Sequence, residues 1–475
     1  MTDTELLHRI VRHCGEACVV APTETAQRTL NLRGEAFSAV PLLRPSSTEE
    51  VVFIVKLARQ AGRALVPVGG ATGLVDALKT TGEGQWYLSL ERMRQIERLD
   101  ADSRLAVVQA GVVLQTLQDA AAAQGLLFAV DLGARGSATV GGLIATNAGG
   151  ERVLRFGMMR EQVLGLEVVT ADGQVLDLMA EVLKNNAGYD LKQLFIGSEG
   201  TLGIVTRAVV RLRSAFESHD AAWLALPDLE RLPAVLTRLE RGLGGTLSAF
   251  ELMWPEFVTA MCGAADSPHR CPVGIEAAGH VLIESEGGHA ADDHARFETV
   301  LGALLEEGLI ADAMIAQSDA DRQALWALRN DIPRLARHMF PPVAFDVSVA
   351  IGQMAGVVDE LRATLTSRWP DARLVVFGHV ADNNLHIVVN TGVNTLRESK
   401  AIAEVVYRAV VARCGSISAE HGIGMEKRAA LATHLPAPVL EQMRRLKALM
   451  DPQGLLNPGK VLEPTGMTME PHLSP

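Results

Sequence analysis

Cysteine is scarce: Cys14, Cys18, Cys262, Cys271 and Cys414 are the five in 475 residues, an odd number at irregular spacing. That pattern argues against a disulfide frame and for reduced thiols in a reducing compartment. Cys14 and Cys18 can share a helical face, but no second pair completes a zinc site, so they read as small buried hydrophobes. Positive charge is also short. The net charge of −12 argues against nucleic acid or an anionic membrane as partner, since neither releases counterions to an acidic surface. No stretch reaches about 18 apolar residues, so no transmembrane helix is expected. The first twenty residues carry Asp3 and Glu5 and no long apolar run, which is not a secretory signal pattern. Repeats and low-complexity linkers are absent. These absences lead to the expectation of a cytoplasmic protein.

What is present is globular: 48% hydrophobic and 21% charged residues, in a chain long enough for two or three domains. Thr2 with Glu5 predicts a capping box opening an amphipathic helix. Ser46–Ser47–Thr48 followed by Glu49–Glu50 predicts a helix through Ala61. Strands are expected at Ala64–Val68, Trp86–Leu90, Leu105–Gln109, Leu166–Thr170 and Val205–Leu212, with a helix over Leu114–Ala123. From Pro227 to about Pro370 the pattern turns helix-rich, with amphipathic runs at Leu232–Arg241, Arg296–Glu307 and Asp319–Ile332 and a strand at His280–Glu284. The tail from Ile402 is helical again.

A Rossmann G-x-G-x-x-G is missing. Gly454-x-x-x-x-Gly459–Lys460 imitates part of a P-loop, but Val461 stands where Ser or Thr would hold magnesium and Pro458 removes an amide donor. Three other segments combine glycine with Ser or Thr at strand ends: Pro67–Leu74, Asp131–Gly150 and Gly197–Ile204. Each alone reads as a tight turn. Together they make anion nests that suit a large phosphate-bearing cofactor.

Histidines supply the second constellation. Arg373–His379 and Leu385–Asn390 are strand-like, and Val-Ala-Asp-Asn-Asn between them reads as a turn. A hairpin centred between Asp382 and Asn383 predicts His379 directly opposite His386, about 5 Å apart at Cβ and able to share one ion. Ser418-Ala-Glu-His-Gly-Ile-Gly424 adds Glu420 and His421, which on extended chain point to opposite sides. By themselves these residues leave a metal site and satisfied structural histidines as equal readings.

The stretches DLGARGSATVGGLIATNAGG (131–150), Phe156–Gly157 and GYDLKQLFIGSEGTLGIVT (188–206) resemble the FAD-binding domain of vanillyl-alcohol-oxidase-like flavoproteins. The similar branch is D-2-hydroxyglutarate dehydrogenase, related to D-lactate dehydrogenase and the glycolate oxidase FAD subunit. The likeness runs from about residue 40 to 465, and Asp-Leu-Gly-Ala at 131–134 is similar to the hydroxyglutarate branch. It implies an α+β fold: a PCMH-type FAD-binding domain of two subdomains plus an α+β cap over the flavin. The expected division is an N-terminal helical segment 1–36, the FAD domain 37–215, a substrate and metal cap 216–420, and a helical segment 421–475 returning to the FAD domain.

The resemblance implies FAD contacts from Pro67, Val68, Gly69, Gly70, Ala71, Thr72, Gly73 and Leu74 in the first loop. In the second they come from Asp131, Leu132, Gly136, Ser137, Thr139, Val140, Gly141, Gly142, Ala145, Asn147 and Gly150. Glu199, Gly200, Gly203, Ile204 and Val205 follow in the third, and Asn457 near the end. Ala71 and Asp76 depart from the family's usual residues. Neither His nor Cys occurs within 131–150, so non-covalent FAD is expected. It also implies that His379, His386 and Glu420 bind a divalent ion, zinc or manganese, and that His421 is the catalytic base. Arg329 is implied as the clamp for the substrate's C1 carboxylate, where the bland alternative is a surface arginine.

The implied reaction is oxidation of a D-2-hydroxy acid. The metal binds and activates the hydroxyl, His421 takes its proton, and hydride passes to flavin N5. Expected partners are the hydroxy acid and an electron acceptor such as an electron-transfer flavoprotein or quinone, with a homodimer also expected. The pocket for a second carboxylate departs from the family: Pro333, Ala344 and Val388 stand where Thr, Lys and Asn are usual, with Arg337 or His338 as substitute donors. D-lactate or glycolate oxidation therefore stays open. So do a flavin-binding subunit without its own substrate site and a metal hydrolase.

Overall fold

Thr2 opens the first helix: its hydroxyl accepts the Glu5 N–H, and the Glu5 carboxylate accepts the Thr2 N–H, the expected reciprocal cap. That helix, Asp3–Cys14, buries Leu6, Ile10 and Cys14 on one stripe. The structure, a computed structural model, describes residues 2–31, 33–80 and 84–464; residues 465–475 of the C-terminal segment lie outside it. Ser47 caps the next long helix, Thr48–Ala61, and left-handed Gly62 ends it.

Two small sheets follow. Ala64–Val68 and Gln85–Ser89 pair in parallel within a four-stranded sheet. Leu105–Gln109, Ile204–Arg211 and Val163–Val169 form the centre of a five-stranded antiparallel sheet. These strands lie within a few residues of the expected ones. Leu6, Val55, Trp86, Phe128, Ile144, Phe195 and Val210 share one apolar core that joins the N-terminal helix to both sheets.

The second half is built on seven antiparallel strands, in the order Asp312–Ile315, Ser218–Leu226, Gly279–Gly287, Leu247–Met253, Arg373–His379, Asn384–Asn390, Val343–Ser348. The helix-rich reading understated this sheet. Strands such as Gly279–Gly287 are buried at every position, because helices cover both faces, so they show no period-2 alternation to read. One face carries Leu232–Leu243, Ala290–Glu306, Met354–Arg368 and Ser399–Val411. The other carries Pro255–Cys262, Asp319–Asn330 and Ile332–His338. The helix expected to run through Ile332 stops at Asn330. Asp331 leaves helical geometry, its side chain accepts the Arg334 N–H, and it starts a separate short helix containing Pro333, whose missing N–H suits a first turn.

The chain after residue 420 serves both halves. Leu431 in the helix Arg428–His434 belongs to the second core. Leu446, Met450, Leu455 and Leu456 pack against the first.

Candidate active site

The three glycine loops converge. Gly70 must lack a side chain: a Cβ there would sit 2.0 Å from the Ser137 carbonyl oxygen. A Cβ on Gly69 would meet Thr139 at 2.9 Å and Gly142 at 3.1 Å, so Pro67–Leu74 lies against Ser137 and the start of the helix Val140–Thr146. Thr139 caps that helix through the Gly142 N–H. The third loop docks on the same helix: Gly197 N–H donates to the Ile144 carbonyl and Glu199 N–H to the Ala145 carbonyl. Gly200 packs on Pro67, and Ile204 and Val205 begin the strand behind. Asn457, in left-handed geometry, donates from Nδ2 to the Glu199 carbonyl at 2.7 Å. Its Oδ1 is buried without a partner among the described residues, as expected of an acceptor awaiting a ligand.

Several expected cofactor residues have other work. Gly203 is a packing glycine, since a Cβ would meet Val168 at 2.6 Å. Asp131 is held by Arg135 and Arg152. Asn147 accepts the Arg160 N–H. Glu199 turns its carboxylate away from the loops toward the Glu420 turn, accepting the N–H groups of Ile423 and Gly424 at 2.7 and 2.8 Å.

The histidine hairpin forms with a different register. His386 pairs with Phe377 and Arg373 with Asn390, so His379 is not opposite His386. The turn is asymmetric: a 3-10 turn over Val380–Asp382 ends in left-handed Asn383. The resulting offset is two residues, which keeps both histidines on one face of the sheet. They meet diagonally, ring centroids 5.3 Å apart and nearly perpendicular. His379 instead pairs across the ladder with Glu251.

Glu420 and His421 do not diverge as an extended chain would. The segment is bent, and both amides donate to Asp346 Oδ2 at 2.9 Å. Ligand atoms of His379, His386 and Glu420 all lie within 4.8 Å of one another, and so do those of Asp346, Glu420 and His421. Glu420 Oε1 also accepts the Gly150 N–H at 2.9 Å, so a cofactor loop touches this cluster directly. Two imidazoles and a carboxylate so placed fit a divalent ion. Cys14, Cys18 and Glu50 also approach within 4.8 Å but do not fit one. Both thiols lie in the apolar core, burial pushes Cys14 up to about 12, and both Glu50 oxygens are spent on Ser46.

Arg329 is 3% exposed and therefore not a surface arginine. Its Nε and Nη2 donate to Glu251 Oε2 at 2.9 and 2.8 Å, and its guanidinium lies over the Phe377 ring. The other Glu251 oxygen lies 2.5 Å from His379 Nδ1. Burial would raise the Glu251 carboxyl, but the charges of His379 and Arg329 outweigh it and hold it at about 2. Burial likewise opposes the charge on His379, and Glu251 lifts it to about 9.

Glu251 and Asp346 are site residues that sequence reasoning missed. Each is a lone acid in a buried apolar strand. Such an acid costs several kcal/mol unless partnered, and that was the available signal. The expected second-carboxylate positions, Pro333, Ala344 and Val388, are apolar. Ala344 pairs with Val388, and Val388 with Val375, one step along the face from the Asp346–His386 pair. Pro333 lies in the short helix Ile332–His338. His338, on that helix, sits below its ordinary value through burial and the charges of Arg373 and Arg334.

Sequence comparisons fit this geometry. The pattern described as "FAD linked oxidases, C-terminal domain" matches residues 217–461, and "FAD binding domain" matches residues 41–179. The chain belongs to the FAD-linked oxidase family. It is 38% identical over 435 residues to the mitochondrial D-2-hydroxyglutarate dehydrogenase of Bos taurus, covering 91% of this chain and 78% of that one. To the D-2-hydroxyglutarate dehydrogenase of Xanthomonas citri pv. viticola it is 39% identical over 431 residues, covering 88% of each. Among solved structures, alkyldihydroxyacetonephosphate synthase superposes with a TM-score of 0.75 at 18% identity, over 96% of this chain and 85% of that one. Substrate-bound p-cresol methylhydroxylase does so at 0.74 and 14%, over 96% of each. Both share the fold. This FAD-linked oxidase is thus an FAD-dependent oxidoreductase with an α+β, PCMH-type architecture.

The seam between the halves of the oxidase holds one more acid. Glu151 accepts from Asn330 Nδ2 at 3.0 Å. Burial, then the charges of Asp131 and Glu251, push its carboxyl up to about 7. The folded state therefore binds more protons than the unfolded chain between the ordinary carboxyl value of about 4.3 and 7, and stability falls as pH rises through that window. Glu151→Gln removes this loss. Thermal scans should show the variant's Tm advantage widening from acid to neutral pH; an advantage independent of pH contradicts the assignment.

Proposed function

We propose that the enzyme oxidises D-2-hydroxyglutarate to 2-oxoglutarate, with non-covalent FAD and a divalent ion held by His379, His386 and Glu420. One observation carries the reading: two imidazoles and a carboxylate within 4.8 Å, touching a cofactor loop through Gly150 and joined through Glu251 to the buried Arg329. Relatives bearing that activity in their names match most of the chain. Two nitrogens and a carboxylate oxygen, with coordination positions left for substrate, suit zinc or manganese.

When bound, FAD supplies the two-electron acceptor and the ion supplies Lewis acidity toward the substrate oxygens. The chain's residues do the rest. Arg329 presents a planar cation to the C1 carboxylate, and Glu251 fixes its orientation. His421 takes the hydroxyl proton as the Cα–H bond gives up its hydrogen and two electrons. Its side chain is 32% exposed, against 12% for His379 and 17% for His386, so it is the histidine of the cluster most open to substrate. The reading keeps a reducing compartment such as the cytoplasm, which the five free thiols support; some relatives are mitochondrial. Among the described residues, no helix is long and apolar enough to cross a membrane.

The test is turnover by the purified chain alone with an artificial electron acceptor. D-2-hydroxyglutarate should support it and the L enantiomer should not. Flavin without turnover of any 2-hydroxy acid would instead mark a subunit lacking its own substrate site. A second reading rests on the apolar Ala344–Val388 pair, which offers no cation to a second carboxylate and favours a shorter acid such as D-lactate. A kcat/KM higher for D-lactate than for D-2-hydroxyglutarate would select it.

A further inference from the structure

Asp346 takes no direct part in the proposed metal set or the proton transfer, yet it faces Glu420, His421 and His386 at once. It is 1% exposed, in the strand Val343–Ser348. Oδ2 accepts the N–H groups of Glu420 and His421 and lies 3.8 Å from His421 Nδ1. Oδ1 is buried with no hydrogen-bond partner among the described residues and lies 3.8 Å from His386 Nδ1. The third group facing it is Lys427, whose Nζ is 3.9 Å from Oδ2 and donates to the Asp346 carbonyl and to the Ile417 carbonyl.

We infer that Asp346 is a positioning residue that fixes the Nδ1 sides of His386 and His421 together, so that one carboxylate orients both a metal ligand and the catalytic base. The inference rests on the proposed roles of those two histidines. A neutral imidazole with its Nδ1–H on a carboxylate offers Nε2 as the lone-pair nitrogen. For His386 that nitrogen serves the ion; for His421 it serves the substrate hydroxyl. The 3.8 Å separations close to hydrogen bonds on loading, as contacts in an unloaded site commonly do. Lys427 occupies the remaining side of the carboxylate, so Asp346, Glu420 and His421 do not form a second cation site. His379 is oriented separately by Glu251, which leaves Asp346 the orienting acid for the other two rings.

The test is Asp346→Asn, which keeps the shape and an acceptor for the two amides but removes the charge and gives the ring nitrogens a poor partner. Metal affinity should fall by about 10–100-fold, and kcat should fall with KM little changed, while FAD content stays near the parent; Tm falls only in part, since Lys427 is left facing a neutral amide but keeps its two carbonyl acceptors. Asp346→Glu should recover part of the kcat. Parental kcat and metal affinity in Asp346→Asn would overturn the inference. So would an equal loss in both variants accompanied by lost FAD and Tm, which marks a merely structural acid. A second measurement needs no substitution. In the metal-loaded holoenzyme, nitrogen-15 histidine spectra should show His386 and His421 protonated at Nδ1, and a neutral His421 protonated at Nε2 overturns the inference independently. Failure of the function itself reads differently, as absent turnover with His421 still in the Nδ1–H form.

Discussion

His421→Ala is expected to leave FAD and metal bound and to lower kcat on the order of a thousandfold, the usual range for losing a general base. The expectation comes from position. His421 is the most exposed of the three clustered histidines, and its ring lies parallel to that of His386 with centroids 6.4 Å apart. It stands beside the ligand set, with its Nδ1 turned to Asp346. Removing it takes away a proton acceptor and no ligand of the proposed ion. Loss of metal together with activity would mean that His421 is the ligand and one of the other histidines the base. Metal analysis of the purified variant separates the two.

Glu251→Gln should be nearly as damaging for a different reason. One carboxylate holds Arg329 through Nε and Nη2 and His379 through Nδ1, so a single substitution disturbs the substrate's anchor and a metal ligand together. It also leaves the Arg329 guanidinium facing a neutral amide in a buried site. Breaking a buried pair in this way costs about 3–5 kcal/mol, which appears as a lower Tm. Metal affinity is expected to drop by about 10–100-fold, and kcat/KM with it. The sign with pH is fixed. The Glu251 carboxyl, held at about 2, contributes stability that is present above the ordinary carboxyl value of about 4.3 and is lost as pH falls toward 2. The parent should therefore lose its stability advantage over Glu251→Gln in acid. A Tm difference that persists undiminished at low pH, or intact metal binding, would count against this arrangement.

Local signals were readable without the structure. Thr2 and Glu5 announced their cap, Ser47 its helix, and the Gly, Ser and Thr segments their convergence. Long-range pairing was not readable. The His379–His386 register depended on how many residues the Val380–Asp382 turn consumes and on left-handed Asn383, and a symmetric turn is only a default. Glu420 and His421 converge because Asp346, seventy-four residues from Glu420, accepts both their amides. Nothing in Ser418–Gly424 encodes that. Glu199 sits in a cofactor-type loop, yet its carboxylate accepts an N–H from a turn 224 residues away. The seven-stranded sheet was hidden because burial on both faces erases alternation, leaving apolar runs that read equally as helix.

Anaerobic mixing of the holoenzyme with D-2-hydroxyglutarate, before and after chelation, bears on the central claim most directly. The flavin colour should bleach in the metal-loaded protein and with the D enantiomer alone. After chelation the protein should stay yellow and remain unbleached until zinc or manganese is restored. Bleaching that survives complete removal of metal would contradict the role given to His379, His386 and Glu420. A flavin that no D-2-hydroxy acid reduces would contradict the function itself.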